Sequence, residues 1–266
     1  MKHMKKTLES FITEKRSNGI YTFSTEEVQN YLGSTYNNVK QVLYGYKKRN
    51  KVASVRQGFN VIITPEYSKS RVLPAYLFLD DMMKWLKRDY YIGLFSAASI
   101  YGATHYQIME NYIFINGSPM RNIKKEKLSL KFIAIKYFNK KQICKLKTEA
   151  GYVNISTPEL TALDLMGYLE NSSLERNIEI IKQFVDKIAA DSLFKAASVY
   201  PQRAAVQRLG YVLEQVLFDN ELADSLASVM KGRKWNTVPL SPHKEREGVT
   251  IEKWKIIKNI NPEIEI

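Results

Sequence analysis

Two helix-capping signals separated by a glycine lie within eleven residues, and this run constrains the fold of the N-terminal region more than any other feature. Ser24 and Glu27 have the spacing of a capping box, which satisfies free backbone amides at a helix start. Gly33 can adopt the left-handed conformation that ends a helix. Ser34 is placed to cap the next helix. We therefore expect a short helix, a tight turn and a second helix.

The second of these helices is amphipathic, and two strands follow it. Its apolar stripe has the i, i+3, i+4, i+7 spacing of a buried face and consists of Val39, Val42, Leu43 and Tyr46. Its opposite face carries groups that can bond base edges and phosphates, namely Asn37, Gln41, Tyr44 and Lys48. Residues 52–55 and 59–63 predict a β-hairpin. A helix-turn-helix followed by a hairpin is the winged-helix pattern.

Positive charge is concentrated on the same region. Residues 1–73 hold 13 Lys and Arg but 5 Asp and Glu, a net charge of +8 out of +13 for the whole chain. This distribution is typical of phosphate binding, so we expect double-stranded DNA as a partner. No stretch approaches the roughly 18–20 apolar residues that span a bilayer. We expect no membrane partner and a cytoplasmic location.

In the expected mode of binding, the second helix of the pair enters the major groove. The candidate DNA-binding residues are Thr35, Tyr36, Asn37, Asn38, Lys40, Gln41, Tyr44, Lys47, Lys48, Arg49, and Arg56 and Gln57 of the wing. A second candidate DNA contact is formed by Lys124, Lys125, Lys127 and Lys131. A solvated basic face is the alternative interpretation of that cluster.

The predicted fold class is α+β, with an N-terminal winged helix-turn-helix at residues 1–73 followed by a mixed α+β domain at 74–240. The boundary lies between Pro65 and Pro74. Residues 241–266 are expected to form a loosely structured tail. In the second domain we expect helices at residues 80–88, 89–102, 174–190 and 204–218, a helix start at Pro158, and strands at residues 112–115, 128–137 and 152–155.

Signatures of enzymes are absent. The chain has neither a P-loop nor a G-x-G-x-x-G sequence. His3, His105 and His243 are far apart and Cys144 is the only cysteine, so no recognisable zinc set exists. We expect a structural role for His105. We expect no catalytic residue, metal or cofactor.

Short sequence blocks in the second half resemble the AbiEi family. They keep the order and spacing of that family between about residues 90 and 240. The blocks are YIGLFSAA at 91–98 and GATH at 102–105, GYV at 151–153, STPE at 156–159 and ALDL at 162–165, QRLGYVL at 207–213, and PL at 239–240.

The resemblance implies a bacterial antitoxin of a type IV toxin–antitoxin system, a kind of system associated with abortive infection of phage-infected cells. It implies that the winged helix represses its own operon by binding inverted repeats in the promoter. It also implies that the C-terminal domain counteracts a nucleotidyltransferase-like toxin, AbiEii, without forming a stable complex.

The resemblance does not identify the residues that neutralise the toxin. Gln207 and Arg208 are the polar exceptions in blocks that are otherwise explained by packing or capping, so they are candidates for antitoxin function. A plain helix-surface role is the alternative for both. For the whole protein, the alternative is a winged-helix transcription regulator with a ligand-binding C-terminal domain and no antitoxin role.

Overall fold

The computed structural model describes residues 6–103 and 110–262, so His3 and His105 lie outside the described residues. The chain divides into two compact units. The first unit contains Met1–Tyr91, Met109–Lys136 and Lys145–Asn154, and the second contains Ile92–Ile108, Tyr137–Cys144 and Ile155–Ile266. Helices and strands occur in both units, which confirms the mixed α+β class.

The N-terminal part of the first unit is a three-helix cluster with a small antiparallel sheet. Its elements are α1 (Leu8–Ser17), β1 (Thr22–Ser24), α2 (Thr25–Leu32), α3 (Tyr36–Lys48), β2 (Val52–Arg56) and β3 (Phe59–Ile62). The strand order is β1-β3-β2. The apolar sides of these elements close one core around Phe11, Phe23, Val28 and Val39. The pairing of β1 with β3 was not predicted from the sequence.

Local capping explains where the two central helices begin and end. The Ser24 hydroxyl accepts from the Glu27 amide at 3.0 Å, and the Glu27 carboxylate accepts from the Ser24 amide at 2.6 Å, as a capping box predicts. Gly33 ends α2 at φ +61°. The cap of α3 is Thr35 rather than the predicted Ser34. Val42 was predicted to be buried, but its side chain is 41% exposed.

A six-stranded sheet and two short helices follow. In chain order these elements are α4 (Leu79–Trp85), β4 (Tyr90–Ile92), α5 (Leu94–Ile100), β5 (Asn111–Asn116), β6 (Ile123–Lys125), β7 (Leu128–Ile135), β8 (Ile143–Thr148) and β9 (Gly151–Ser156). The strand order is β6-β7-β5-β4-β9-β8. Strands β5 and β7 are parallel, whereas β6 and β7 form an antiparallel hairpin.

The predicted helix at residues 89–102 is wrong in its first part. Residues 90–92 form β4, and the helix begins only after Gly93. Each residue of β4 is buried, so its sequence is a continuous apolar run. Such a run has no periodicity that distinguishes a strand from a buried helix.

The predicted boundary after residue 73 does not coincide with a boundary of the compact units. Leu73, Leu77 and Phe78 are buried within the first unit. The Thr22 hydroxyl donates to the Asp81 carboxylate at 2.7 Å, which ties β1 to α4. The N-terminal elements and the residues after 73 therefore belong to one packed body.

The second unit is mainly helical. Besides α5, its helices are α6 (Pro158–Gly167), α7 (Leu174–Lys182), α8 (Ala190–Val199), α9 (Arg203–Gln215) and α10 (Asn220–Met230). The start of α6 is as predicted, with the Thr157 hydroxyl accepting from the Leu160 amide. The predicted helix at residues 174–190 ends earlier, at Lys182, and a short 3-10 turn follows it.

The C-terminal segment is ordered, which corrects the expectation of a loose tail. Strands β10 (Val238–Pro239), β11 (Val249–Ile251) and β12 (Ile256–Lys258) form a sheet in the order β10-β12-β11. Trp254, between β11 and β12, is fully buried. Among the described residues, no helix is long and apolar enough to span a membrane, and no group of three or more His, Cys, Asp or Glu could hold a metal ion.

Candidate nucleic-acid interface

One face of α3 is polar, basic and exposed. Val39 and Leu43 anchor the opposite side of the helix in the core. Asn37, Gln41 and Lys48 are exposed, as predicted from the helical period. The helix contains no acidic residue. An anion approaching this face therefore meets amide and ammonium donors without a carboxylate from the helix itself.

Aromatic rings lie among these donors. The Lys48 ammonium is 4.9 Å from the ring centroid of Tyr44, and Lys40 lies 6.0 Å from that of Tyr36. Tyr44 is 60% exposed and Tyr36 is 46% exposed. Cation–π contacts of this kind favour conformations in which each lysine ammonium lies beside the neighbouring tyrosine ring.

The N-terminal turn of α3 contains two further predicted residues. The Thr35 hydroxyl accepts from the Asn38 backbone amide at 3.5 Å, so Thr35 serves as the helix cap. The Asn38 side chain is exposed beside it. These two predicted DNA-binding residues therefore lie at the N-terminal end of α3, where a helix presents free backbone amides.

Basic groups converge at the C-terminal end of α3. The Arg49 side chain donates to the carbonyl of Gly45 at 3.1 Å and stacks 4.7 Å from the ring of Tyr46. Burial lowers the pKa of Lys47, and the positive charges of Lys125 and Lys40 lower it further. The positive charges around Lys47 therefore disfavour its protonated form, and a nearby anion would offset them.

The turn of the β2–β3 hairpin is held in place by backbone and ring contacts. The Gly58 carbonyl accepts from the Thr25 amide at 2.9 Å. Gly58 has φ +83°, and its backbone approaches the indole of Trp85, which also packs on Phe59. Gln57 is exposed and Arg56 is half-buried. Of the two predicted wing residues, Arg56 therefore ends β2 and Gln57 lies in the supported turn.

The predicted second cluster separates into two parts. Lys125 donates to the carbonyl of Ser54 on β2 at 2.7 Å, which brings the β6–β7 hairpin against the β2–β3 hairpin. Lys124 and Lys127 are exposed on the same β6–β7 hairpin. Lys131 lies on β7, 4.0 Å from the carboxylate of Glu110. Three of the four lysines are therefore near the hairpin turn, and the fourth has an acidic partner.

Gln207 and Arg208 are buried rather than on a helix surface. The Gln207 amide lies within 3.1 Å of the carbonyls of Asn236, Trp254 and Lys255. Arg208 donates to the carbonyl of Pro239 at 3.2 Å, and burial lowers its pKa. Both side chains hold the C-terminal segment against α9.

Sequence reasoning missed two residues beside the candidate interface. Val42 is exposed on α3, but its helical spacing had placed it in the apolar stripe. Arg71 is exposed and, with Lys47 and Lys125, lines a cavity next to β2. It lies in a segment predicted to be a linker, and no local pattern links it to α3.

Comparisons with known proteins relate the chain to one family and one fold. The family model described as "AbiEi antitoxin C-terminal domain" matches residues 91–215. No curated protein matches the chain significantly. The crystal structure of the RV2827C protein from Mycobacterium tuberculosis aligns with a TM-score of 0.66 and 12% identity, covering 94% of this chain and 90% of that one.

A further solved structure is a weaker neighbour. An antigenic nucleotidyltransferase-like protein from Paracoccidioides brasiliensis gives a TM-score of 0.33 at 12% identity, covering 60% of this chain and 87% of that one. That score is too low to indicate a shared fold. The match to RV2827C concerns the fold alone, whereas the family model matches the sequence of residues 91–215. Residues 91–215, just under half of this chain, are therefore similar to the C-terminal domain of the AbiEi antitoxins.

Proposed function

We propose that this protein is the antitoxin of a type IV toxin–antitoxin system, in which it counteracts a nucleotidyltransferase-like toxin and represses its own operon. The match of residues 91–215 to the antitoxin domain carries the first part of the proposal. In this proposal the protein acts by binding, without catalysis or a cofactor, in the bacterial cytoplasm. The system would act in abortive infection as a defence against phage.

The proposed DNA-binding module is a winged helix-turn-helix formed by α1 to β3. The turn at Gly33 joins α2 to α3, and the β2–β3 hairpin is the wing. With α3 in the major groove, Asn37, Gln41 and Tyr44 contact base edges. The exposed Val42 is suited to a thymine methyl group. The phosphate contacts come from Lys40, Lys47, Lys48, Arg49 and Arg56.

The β6–β7 hairpin extends this proposed surface. Lys125 is tied to β2 and lies close enough to Lys47 to affect its pKa. Lys124 and Lys127 add two exposed charges on the same hairpin. Lys131 contributes less, because Glu110 offsets its charge. Two copies of the protein would occupy the two halves of an inverted repeat.

The DNA-binding part is tested by fluorescence anisotropy with the promoter fragment of the protein's own operon at several salt concentrations. Gln41→Ala should reduce discrimination at one base position by about 1–3 kcal/mol. Lys48→Ala should weaken binding to all DNA sequences alike. It should also lower the slope of log affinity against log salt concentration by about one. Lys195→Ala is the matched control, because Lys195 is an exposed helical lysine in the second unit. If both α3 variants behave like that control, the assignment of α3 is wrong.

The antitoxin part is tested by growth rescue. The toxin gene that this proposal places beside the gene for this protein is expressed from an independent promoter together with the full-length protein. We use the full chain carrying Gln41→Ala and Lys48→Ala rather than a fragment starting at residue 74, because such a cut would divide the first unit. Rescue by this double variant, with loss of promoter repression, is the expected result. Failure of the wild-type chain to rescue growth would refute the antitoxin assignment.

For Gln207 and Arg208, we propose an indirect part in antitoxin activity. Their side chains hold the C-terminal segment, so their replacement would act through that segment and not through contact with a partner. Rescue and thermal stability should therefore fall together in Gln207→Ala. A loss of rescue at unchanged stability would instead support direct participation.

A further inference from the structure

A cavity of about 220 Å³ lies beside β2 in the first unit. The end of α3, both hairpins and the segment around residue 72 contribute to its wall. Its lining includes the buried apolar side chains of Val52, Val61, Leu73 and Leu128. The cavity is smaller than the roughly 300–1,000 Å³ of pockets for drug-sized ligands, so it suits a smaller molecule.

The charged residues around this apolar lining are mostly cationic. Lys47, Arg71 and Lys125 line the cavity together with one carboxylate, that of Glu126. Within the part of the chain that the structure describes, none of the three cations forms a salt bridge. Lys125 is bonded to a neutral carbonyl, that of Ser54. Three cationic residues and a single acidic residue therefore line the same cavity.

An anion bound near Lys47 and Lys125 would relieve an unfavourable arrangement of charges. Burial and the charge of Lys125 both lower the pKa of Lys47, so the protonated lysine is destabilised where it stands. A bound carboxylate would supply the missing opposite charge and accept charge-assisted hydrogen bonds. The apolar lining would then cover the remainder of the ligand.

We propose that this cavity binds a small organic carboxylate with a short apolar chain, its carboxylate among Lys47, Arg71 and Lys125 and its chain against the valine and leucine lining. Its effect on DNA rests on the proposed function. Lys47 and Lys125 belong to the proposed phosphate-binding surface, so a bound carboxylate would compete with the DNA backbone for the same two cations. The ligand would therefore lower operator affinity and relieve repression.

Octanoate is the probe, and methyl NMR spectra of the full-length protein labelled at Val and Leu provide the measurement. Octanoate should shift the methyl signals of Val52, Val61, Leu73 and Leu128. Arg71→Gln should weaken binding about tenfold through the loss of one charge-assisted contact. Neutral 1-octanol should bind more weakly than octanoate by a similar factor. Lys69→Gln is the matched control, because Lys69 is an exposed neighbour that does not line the cavity.

The proposal is overturned if octanoate leaves these signals unchanged up to about 5 mM, a weak limit for a specific small ligand. It is also overturned if Arg71→Gln and Lys69→Gln bind octanoate equally, or if 1-octanol binds as well as octanoate. Arg71 is outside the proposed DNA surface, so Arg71→Gln should keep wild-type operator affinity without octanoate. Octanoate binding by a protein that fails to bind its promoter would keep the cavity assignment and refute the DNA-binding proposal.

Discussion

Replacement of Trp254 tests whether the C-terminal segment is part of the folded body. The indole is fully buried and donates to the Glu214 carboxylate at 2.8 Å. Truncation of a buried Trp to Ala typically costs about 3–5 kcal/mol. We therefore expect Trp254→Ala to lower the free energy of unfolding by about that amount. For a chain of this size, the melting temperature should fall by roughly 10 °C.

The contribution of the hydrogen bond can be separated from that of the ring. Trp254→Phe keeps most of the buried volume but removes the donor to Glu214, so it should cost about 1.5–3 kcal/mol. Glu214 still has Lys253 as an ionic partner in that variant, which favours the lower end of the range. Unfolding is followed by urea titration with far-UV circular dichroism.

Trp85→Ala is the control. Because the Trp85 side chain is 42% exposed, its truncation should lower the free energy of unfolding by less. The reasoning is refuted if Trp254→Ala unfolds within about 1 kcal/mol of the wild type, well under the loss typical of a buried Trp. That result would mean that residues 238–258 do not pack on α9 in solution.

Three further changes have defined outcomes. Gly210→Ala should destabilise by about 1–3 kcal/mol despite the better helix propensity of Ala, because the added methyl would clash with the buried Trp254 ring; urea titration measures this. Gly33→Ala meets no atom within 4 Å but must keep φ +61°, so the loss should be about 1 kcal/mol in the same assay, and no loss would contradict its role as a cap. Burial alone would raise the pKa of Glu27, but bonds from Lys15 and the Ser24 amide lower it below 4.5. The resulting stabilisation is present above pH 4.5 and is lost as the pH falls through the lower folded pKa, so Glu27→Gln should unfold with a weaker acid dependence.

Local signals were sufficient to predict α2, α3 and the β2–β3 hairpin. A capping box, a left-handed glycine and helical spacing all act within a few residues, so they can be read without the rest of the fold. Val42 was predicted to be buried because its spacing includes it in the apolar stripe of α3. The contact between α3 and the core is narrower than that stripe and leaves Val42 exposed. The extent of burial depends on the neighbouring elements, which the spacing does not contain.

The two edges of the six-stranded sheet were missed for a shared reason. Strands β6 and β8 lie at opposite ends of the strand order and carry exposed lysines. Lysines are common on edge strands, where they oppose pairing with other chains. The same residues in a sequence are typical of loops, so these strands could be recognised only once their neighbours were known.

Long-range placement also explains why the burial of Gln207 and Arg208 was not predicted from the sequence. Polar residues on a helix are usually exposed, and nothing within α9 indicates that carbonyls some 29 to 48 residues later in the chain will need donors. The convergence of Lys47, Arg71 and Lys125 around one cavity has the same origin. Three separate segments supply these charges, and only the tertiary fold brings them together.

The alternation of the chain between its two units has a consequence during synthesis. The first unit ends with residues 145–154, which follow residue 91 only after two segments of the second unit. At about 5–20 residues per second, the ribosome needs roughly 3–13 s to advance from residue 91 to residue 154. The N-terminal core around Phe23 and Val28 can close during this interval, because its residues have already been made. The six-stranded sheet cannot be completed until β8 and β9 have been synthesised. The N-terminal core can therefore be complete several seconds before the rest of the first unit has been made.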